Sequence, residues 1–244
     1  MAVRFGASPL ALAALVLLGL LSAGATQCGI DGPGEVKAPT PVLFVHGLGG
    51  ERSQSFAQAR EWLWDNGYEG HELREIHLSN SYGCIEQSAR EVAVAAAQLL
   101  ADTGAEQLDL VGHSLGGLVG RYFIKNLGGT RVVRTFVSIT SPQHGTFTIT
   151  PSPLNSCSMN QMMVGSPFLA ALNAGDETPD SERIRYLTIR GLNDLLVTPN
   201  TSPMLAGAVN LDMALGTWLD HYYVLYLAQG LSLLREALGD PDAS

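Results

Sequence analysis

One serine stands among four glycines in the stretch Leu108-Asp-Leu-Val-Gly-His-Ser-Leu-Gly-Gly-Leu-Val-Gly120. An apolar run precedes it and a helix-compatible run follows. A serine hydroxyl is a weak nucleophile until it is presented to a substrate and a base, and a sharp strand-to-helix turn does both by lifting the side chain above the sheet. Such a turn crowds the backbone, and Gly112 and Gly116, two residues to either side of Ser114, remove the side chains that would collide. The helix beginning at Leu115 then points backbone N–H groups and its positive dipole end at any oxyanion formed there. A glycine-rich turn can also cradle phosphate, but that fingerprint needs GxGxxG, or GxxxxGK followed by Ser or Thr, and neither spacing is present.

A second glycine-rich turn, Val45-His-Gly-Leu-Gly-Gly50, follows the first apolar run directly. Glycine here lets a backbone N–H approach a substrate oxygen, so Leu48 and Leu115 are the expected pair of oxyanion donors. His46 reads as a brace for this loop rather than as a proton carrier.

These turns need elements to hold them. Pro41 to Val45, Leu73 to Leu78, Leu108 to Val111, Val132 to Thr140, Ile184 to Ile189 and a short segment near Val209 read as strands. Between them lie helical patterns over Ser53 to Asn66, Ile85 to Asp102, Leu115 to Asn126 and Met159 to Leu172, with a last helix from about Tyr222 to Leu238. Alternation of this kind predicts an α/β fold, a mostly parallel sheet of about six strands with helices on both faces, because parallel neighbours need a crossover. Function in such sheets gathers at the carboxyl edge.

Composition sets the surroundings. Residues 1–25 hold Arg4, an unbroken apolar run from Leu10 to Leu21, and Ala23-Gly24-Ala25, the pattern of a secretory signal cleaved near Ala25. An uncleaved anchor is the alternative, but the apolar core is shorter than the ~20 residues of a bilayer span. Residues 26–244 then form one domain that is not inserted in the membrane. Removing the leader takes away Arg4 and no carboxylate, so the net charge goes from −9 to −10. That acidity, with no Lys/Arg cluster, argues against nucleic acid and against electrostatic docking on anionic lipid. The chain is read as a monomer. Cys28, Cys84 and Cys157 match no metal or redox spacing. Cys84 and Cys157 both follow strand carboxyl ends, on loops that can meet above the sheet, which favours a bond between them over one to Cys28.

At its glycine-rich turns the chain resembles the α/β-hydrolase superfamily, and closely the small secreted bacterial lipases and esterases. The resemblance runs from about Val42 to Tyr223. Its carriers are Val-His-Gly-Leu-Gly (45–49), Gly-His-Ser-Leu-Gly-Gly (112–117), Thr-Ser-Pro-Gln-His-Gly-Thr (140–146), Gly-Leu-Asn-Asp (191–194) and Leu-Asp-His (219–221). It implies the α/β-hydrolase fold and hydrolysis of lipid esters. Where that family has two histidines after a proline, this chain has Gln143-His144, so no role passes to the first of them.

Chain order selects the remaining partners. In this fold the nucleophile precedes the acid and the acid precedes the histidine. His113 shares the tight turn and its side chain leaves in another direction. Only His144 and His221 follow Ser114, and His144 comes before any carboxylate at a later strand end. Asp194 lies just beyond the strand ending at Ile189, whereas Asp176, Glu177, Asp180 and Glu182 fall in a polar loop on its other side and read as solvated. The catalytic reading is therefore Ser114, His221 and Asp194, with Asp220 or Asp212 as alternative acids.

This set implies acyl-enzyme hydrolysis of a carboxylic ester, with no metal or organic cofactor required. A thioesterase or polyester hydrolase would use the same three residues, and a catalytically silent binding protein on the same fold is the reading from another class. Pro142 to Gln161 is the longest insertion, about twenty residues, too short for a helical lid with hinges. It reads as a loop lining an acyl groove through Phe147, Ile149, Met162 and Met163. Asn200-Thr-Ser202 is a glycosylation sequon, usable only in a eukaryotic host.

Overall fold

In a computed structural model of the chain, residues 39–50, 55–214, 216 and 220–239 are described. The expected leader and Cys28 lie outside them.

Strands β1 (Val42–Val45) and β3 (Leu108–His113) are buried at every residue. That is the environment of central strands covered on both faces, and it explains their near-continuous apolar runs. With β2 (Leu73–Ile76), β4 (Val133–Ile139), β5 (Arg185–Gly191) and β6 (Val209–Met213) they form one sheet in the order β2-β1-β3-β4-β5-β6. Every pairing is parallel. The chain leaves β1 toward one edge, then returns to place β3 on the other side of β1. The loops at the carboxyl ends of β1 and β3 therefore diverge and leave a crevice, the usual ligand position in such sheets.

Alternate strand residues feed two cores. Leu43, Val45 and Leu110 pack with Val92 and Leu99 of α2 (Ile85–Thr103), and with Leu118 and Phe123 of α3 (Leu115–Asn126). Val42, Phe44 and Val111 face the other side, against Leu63 of α1 (Ala57–Asp65) and residues of the final helix such as Leu231 and Leu234. Each fully buried side chain of this kind contributes about 1.5–3 kcal/mol relative to exposure.

Two expected helices are broken in the structure. In place of one helix over Met159 to Leu172 there are α4 (Cys157–Gln161) and α5 (Pro167–Asn173). Gly165 takes a left-handed φ of 76°, and Ser166 then caps a new helix by accepting the Leu169 N–H, with Pro167 in its first turn. This is a local stop-and-start signal that outweighs the apolar period. Likewise, the segment after residue 219 divides into α6 (Asp220–Tyr223) and α7 (Ala228–Leu238), separated by an extended Leu227. The connection from β5 to β6, residues 192–208, contains no helix.

Cys84, just before α2, is bonded to Cys157 at the start of α4, with the Cα atoms 4.8 Å apart. Closing a loop of this length restricts the unfolded chain by about 4 kcal/mol in the chain-entropy account. Gln161 ties the same elements a second time, accepting the Ile85 N–H at 2.7 Å and donating to Glu86 Oε2 at 2.7 Å.

Candidate active site

Ser114 sits between β3 and α3 with φ 54° and ψ −122°, a strained geometry for a residue with a side chain. Its N–H donates to the Ile139 carbonyl at 2.8 Å, extending the β3–β4 pairing by one residue. The flanking glycines are required by contact. A Cβ on Gly112 would lie 2.5 Å from the Gly116 carbonyl oxygen, and one on Gly116 would run into the carbonyl oxygen of Val45. The turn can thus be this tight only because both side chains are missing.

The loop after β1 is held from beneath by His46. One ring nitrogen, Nδ1, lies 2.7 Å from the Gly47 carbonyl, which can only accept, so Nδ1 carries the proton. Nε2 accepts the Leu78 N–H at 3.0 Å, which links the loop to the end of β2. Ser81 Oγ accepts the Gly49 N–H at 2.8 Å. Leu48 stands at the crest of this braced turn, and Leu115 is the first residue of α3, where N–H groups have no carbonyl one turn earlier.

His221 and Asp194 meet directly. The His221 Nδ1–H donates to Asp194 Oδ2 at 2.7 Å, with both side chains buried. Asp194 Oδ1 accepts the backbone N–H groups of Leu196 at 2.7 Å and Val197 at 3.0 Å, so both carboxylate oxygens are engaged. The alternative acids are occupied elsewhere. Asp220 Oδ2 accepts the backbone N–H of Asn193 at 3.0 Å and its side-chain amide at 3.2 Å, and Asp212 pairs with Arg190 at 2.6 Å. His144 is committed to Glu177 at 2.9 Å and to the Ser202 carbonyl at 3.1 Å. Glu177 is therefore not simply solvated. Burial raises its pKa, but the Ala206 N–H and His144 outweigh that and hold it below the usual value.

His113, the residue before Ser114, also reaches His221. His113 Nε2 lies 2.8 Å from the His221 carbonyl oxygen, and Thr140 Oγ1 donates to the same oxygen at 3.2 Å. Burial and the nearby His221 push the His113 pKa down to about 3, which keeps its ring neutral. The two rings have centroids 4.9 Å apart.

Ser114 and His221 both line a cleft of about 450 Å³ at the carboxyl edge of β1 and β3. Leu48, Ile149 and Met162 form part of its wall. Phe147 and Met163 do not. Phe147 is 64% exposed, and Met163 sits in a turn bridged to Thr146. Instead Thr146 and Thr148 line the cleft on either side of Phe147, facing Leu196, Val197, Tyr222, Leu225 and Tyr226. Sequence reasoning missed Tyr222 and Tyr226, although their spacing of four residues, which puts them on one face of a helix, was an available signal.

A family model for palmitoyl protein thioesterases matches residues 41–176, which contain β1, β3, Ser114 and both glycine-rich turns. The chain belongs to the palmitoyl protein thioesterase family. Among solved structures, this family member is similar to the mature form of a Bacillus licheniformis lipase, with TM-score 0.69 and 19% identity over 84% of this chain and 94% of that one. It also resembles lipase B of Aspergillus fumigatus, with TM-score 0.68 and 21% identity over 83% of this chain, which spans only 53% of the fungal one. A metagenomic carboxyl esterase matches with TM-score 0.57 and 15% identity over 88% of this chain and 79% of that one. At these identities the likeness is one of fold, the α/β-hydrolase fold.

Proposed function

We propose that the protein is an exported carboxylic ester hydrolase acting on lipid or related esters through Ser114, His221 and Asp194. The observation that carries this reading is the 2.7 Å contact of His221 Nδ1 with Asp194, made by a histidine that shares a cleft with Ser114. With Nδ1–H committed to Asp194, Nε2 is the nitrogen left to take the Ser114 proton as the hydroxyl attacks the carbonyl carbon. The tetrahedral oxyanion is met by the N–H groups of Leu48 and Leu115, each worth about 2.7–4 kcal/mol of barrier. His221 then protonates the leaving alcohol, and a water activated by the same nitrogen releases the acid from Ser114. Asp194 holds the ring in that tautomer and stabilises the imidazolium. No step calls for a metal or an organic cofactor.

Export rests on the leader-like residues 1–25, and the Cys84–Cys157 bond is the kind of link that persists in an oxidising compartment. The chain acts as a monomer, without nucleic acid and without remaining in the membrane.

Membership of the palmitoyl protein thioesterase family favours a second reading, in which the acyl group is delivered as a thioester. The test compares kcat/KM of the purified mature chain on an octanoyl oxyester and an octanoyl thioester with leaving groups of similar acidity. The primary reading expects the oxyester to be hydrolysed at least as fast, with both activities lost in Ser114→Ala. A thioester preference of a hundredfold would install the second reading.

A further inference from the structure

The His221 carbonyl takes its donors from outside its own helix. α6 is only four residues long, and the Leu225 N–H bonds to Tyr222 rather than to His221. The donors that reach the His221 oxygen are His113 Nε2 at 2.8 Å and Thr140 Oγ1 at 3.2 Å. Both come from the strand ends that also hold the nucleophile. His113 ends β3 and precedes Ser114, and Thr140 follows Ile139, whose carbonyl receives the Ser114 N–H. β3 and β4 are in register there, His113 opposite Ile139. Nucleophile and histidine are thus tied to one pair of anchors, although 107 positions separate them in the chain.

We infer that His113 and Thr140 are positioning residues that fix the main chain of His221, and through it the ring, relative to Ser114. The inference rests on the Ser114–His221 reading above. A carbonyl only accepts, so His113 donates through Nε2–H. A neutral ring suits this place, because a second cation beside His221 would oppose the imidazolium formed during turnover. Thr140 keeps a left-handed φ of 43° despite its branched side chain, and its hydroxyl is spent on this one carbonyl rather than on solvent, since the residue is fully buried.

The two donors are separable from a general structural role by conservative pairs of variants. Thr140→Val keeps shape and backbone preference and removes the hydroxyl, whereas Thr140→Ser keeps the hydroxyl. His113→Leu removes the donor, whereas His113→Gln offers an N–H at similar reach. kcat and KM on a dissolved short-chain nitrophenyl ester are measured for each, with thermal unfolding as the check on folding and Ser114→Ala as the reference. Misplacing a reacting group by a fraction of an ångström lowers the rate without touching binding. Thr140→Val and His113→Leu should therefore lose about tenfold or more in kcat with KM within about twofold, and Thr140→Ser and His113→Gln should recover most of it. If His113→Leu does not fold, Thr140→Val and Thr140→Ser decide alone. A kcat within about twofold of wild type in Thr140→Val, while Ser114→Ala is dead, would overturn the positioning role alone. Turnover surviving in Ser114→Ala would overturn the underlying reading as well.

Discussion

His221 and Asp194 are joined by one 2.7 Å hydrogen bond between two buried side chains, while the neighbouring Asp220 turns its carboxylate to Asn193 instead. The two acids adjoining the histidine thus have different partners. Asp194→Asn should lower kcat by several orders of magnitude, because an amide can force the wrong imidazole tautomer. Asp220→Asn should cost far less in kcat and mainly loosen the loop carrying Asp194, seen as a lower unfolding temperature. Steady-state kinetics on a soluble ester with both variants checks this, and a dead Asp220→Asn beside an active Asp194→Asn would reverse the assignment.

The histidines divide in the same way. His221→Ala should lose several orders of magnitude in kcat. His144→Ala removes only a clasp to Glu177 and the Ser202 carbonyl, and should keep activity within about tenfold. The comparison fails if His144→Ala is the inactive variant.

What the sequence made legible is what the backbone dictates locally. Pro41 to Val45 and Leu108 to Val111 read as strands from their apolar runs, and the structure has buried strands at Val42–Val45 and Leu108–His113. Spacing of the tight turn and chain order singled out Ser114, Asp194 and His221 as candidates, and the structure places Ser114 and His221 along one cleft, with His221 bonded to Asp194. The Cys84–Cys157 pairing was legible because both loops leave strand carboxyl ends. The groove was only half legible. Side-chain direction in a coil has no period, so Phe147 and its neighbours Thr146 and Thr148 could not be sorted, and the structure points the threonines inward. The breaks at Gly165 and Leu227 replace two continuous helices, because a left-handed glycine and an extended residue each interrupt the helical hydrogen bonding. The role of His113 depends on a contact across 108 residues that no local pattern announces.

His113 also makes the fold acid-sensitive in a definite window. Its folded pKa, about 3, lies below the ordinary 6.5, chiefly through burial and secondly through His221, with the His221 carbonyl and Asp194 pulling the other way. The unfolded chain therefore binds a proton that the folded chain refuses. This contribution to stability is complete above pH 6.5 and is lost as pH falls from there toward 3, with a slope of up to about 1.4 kcal/mol per pH unit. Denaturant unfolding at pH 7 and pH 5 should show a larger loss for wild type than for His113→Gln. Equal losses would remove His113 as the source.

Residues 142–156 form no helix, and α4 beyond them is five residues long and anchored by Cys157 to α2. No long amphipathic segment is available there to swing over the cleft. Hydrolysis of a short-chain ester should therefore rise smoothly through its solubility limit. A sharp jump at that limit, absent for a fully soluble ester, would reveal a moving cover.

In the proposed function Ser114 is a nucleophile activated by His221. A fluorophosphonate probe reacts covalently only with a serine so activated, and intact-mass and peptide mass spectrometry locate the adduct. One equivalent of probe per chain is expected, on Ser114, with no labelling of Ser114→Ala and labelling of His221→Ala slowed by orders of magnitude. A wild-type chain that stays unlabelled, or carries the probe on another residue, would contradict it.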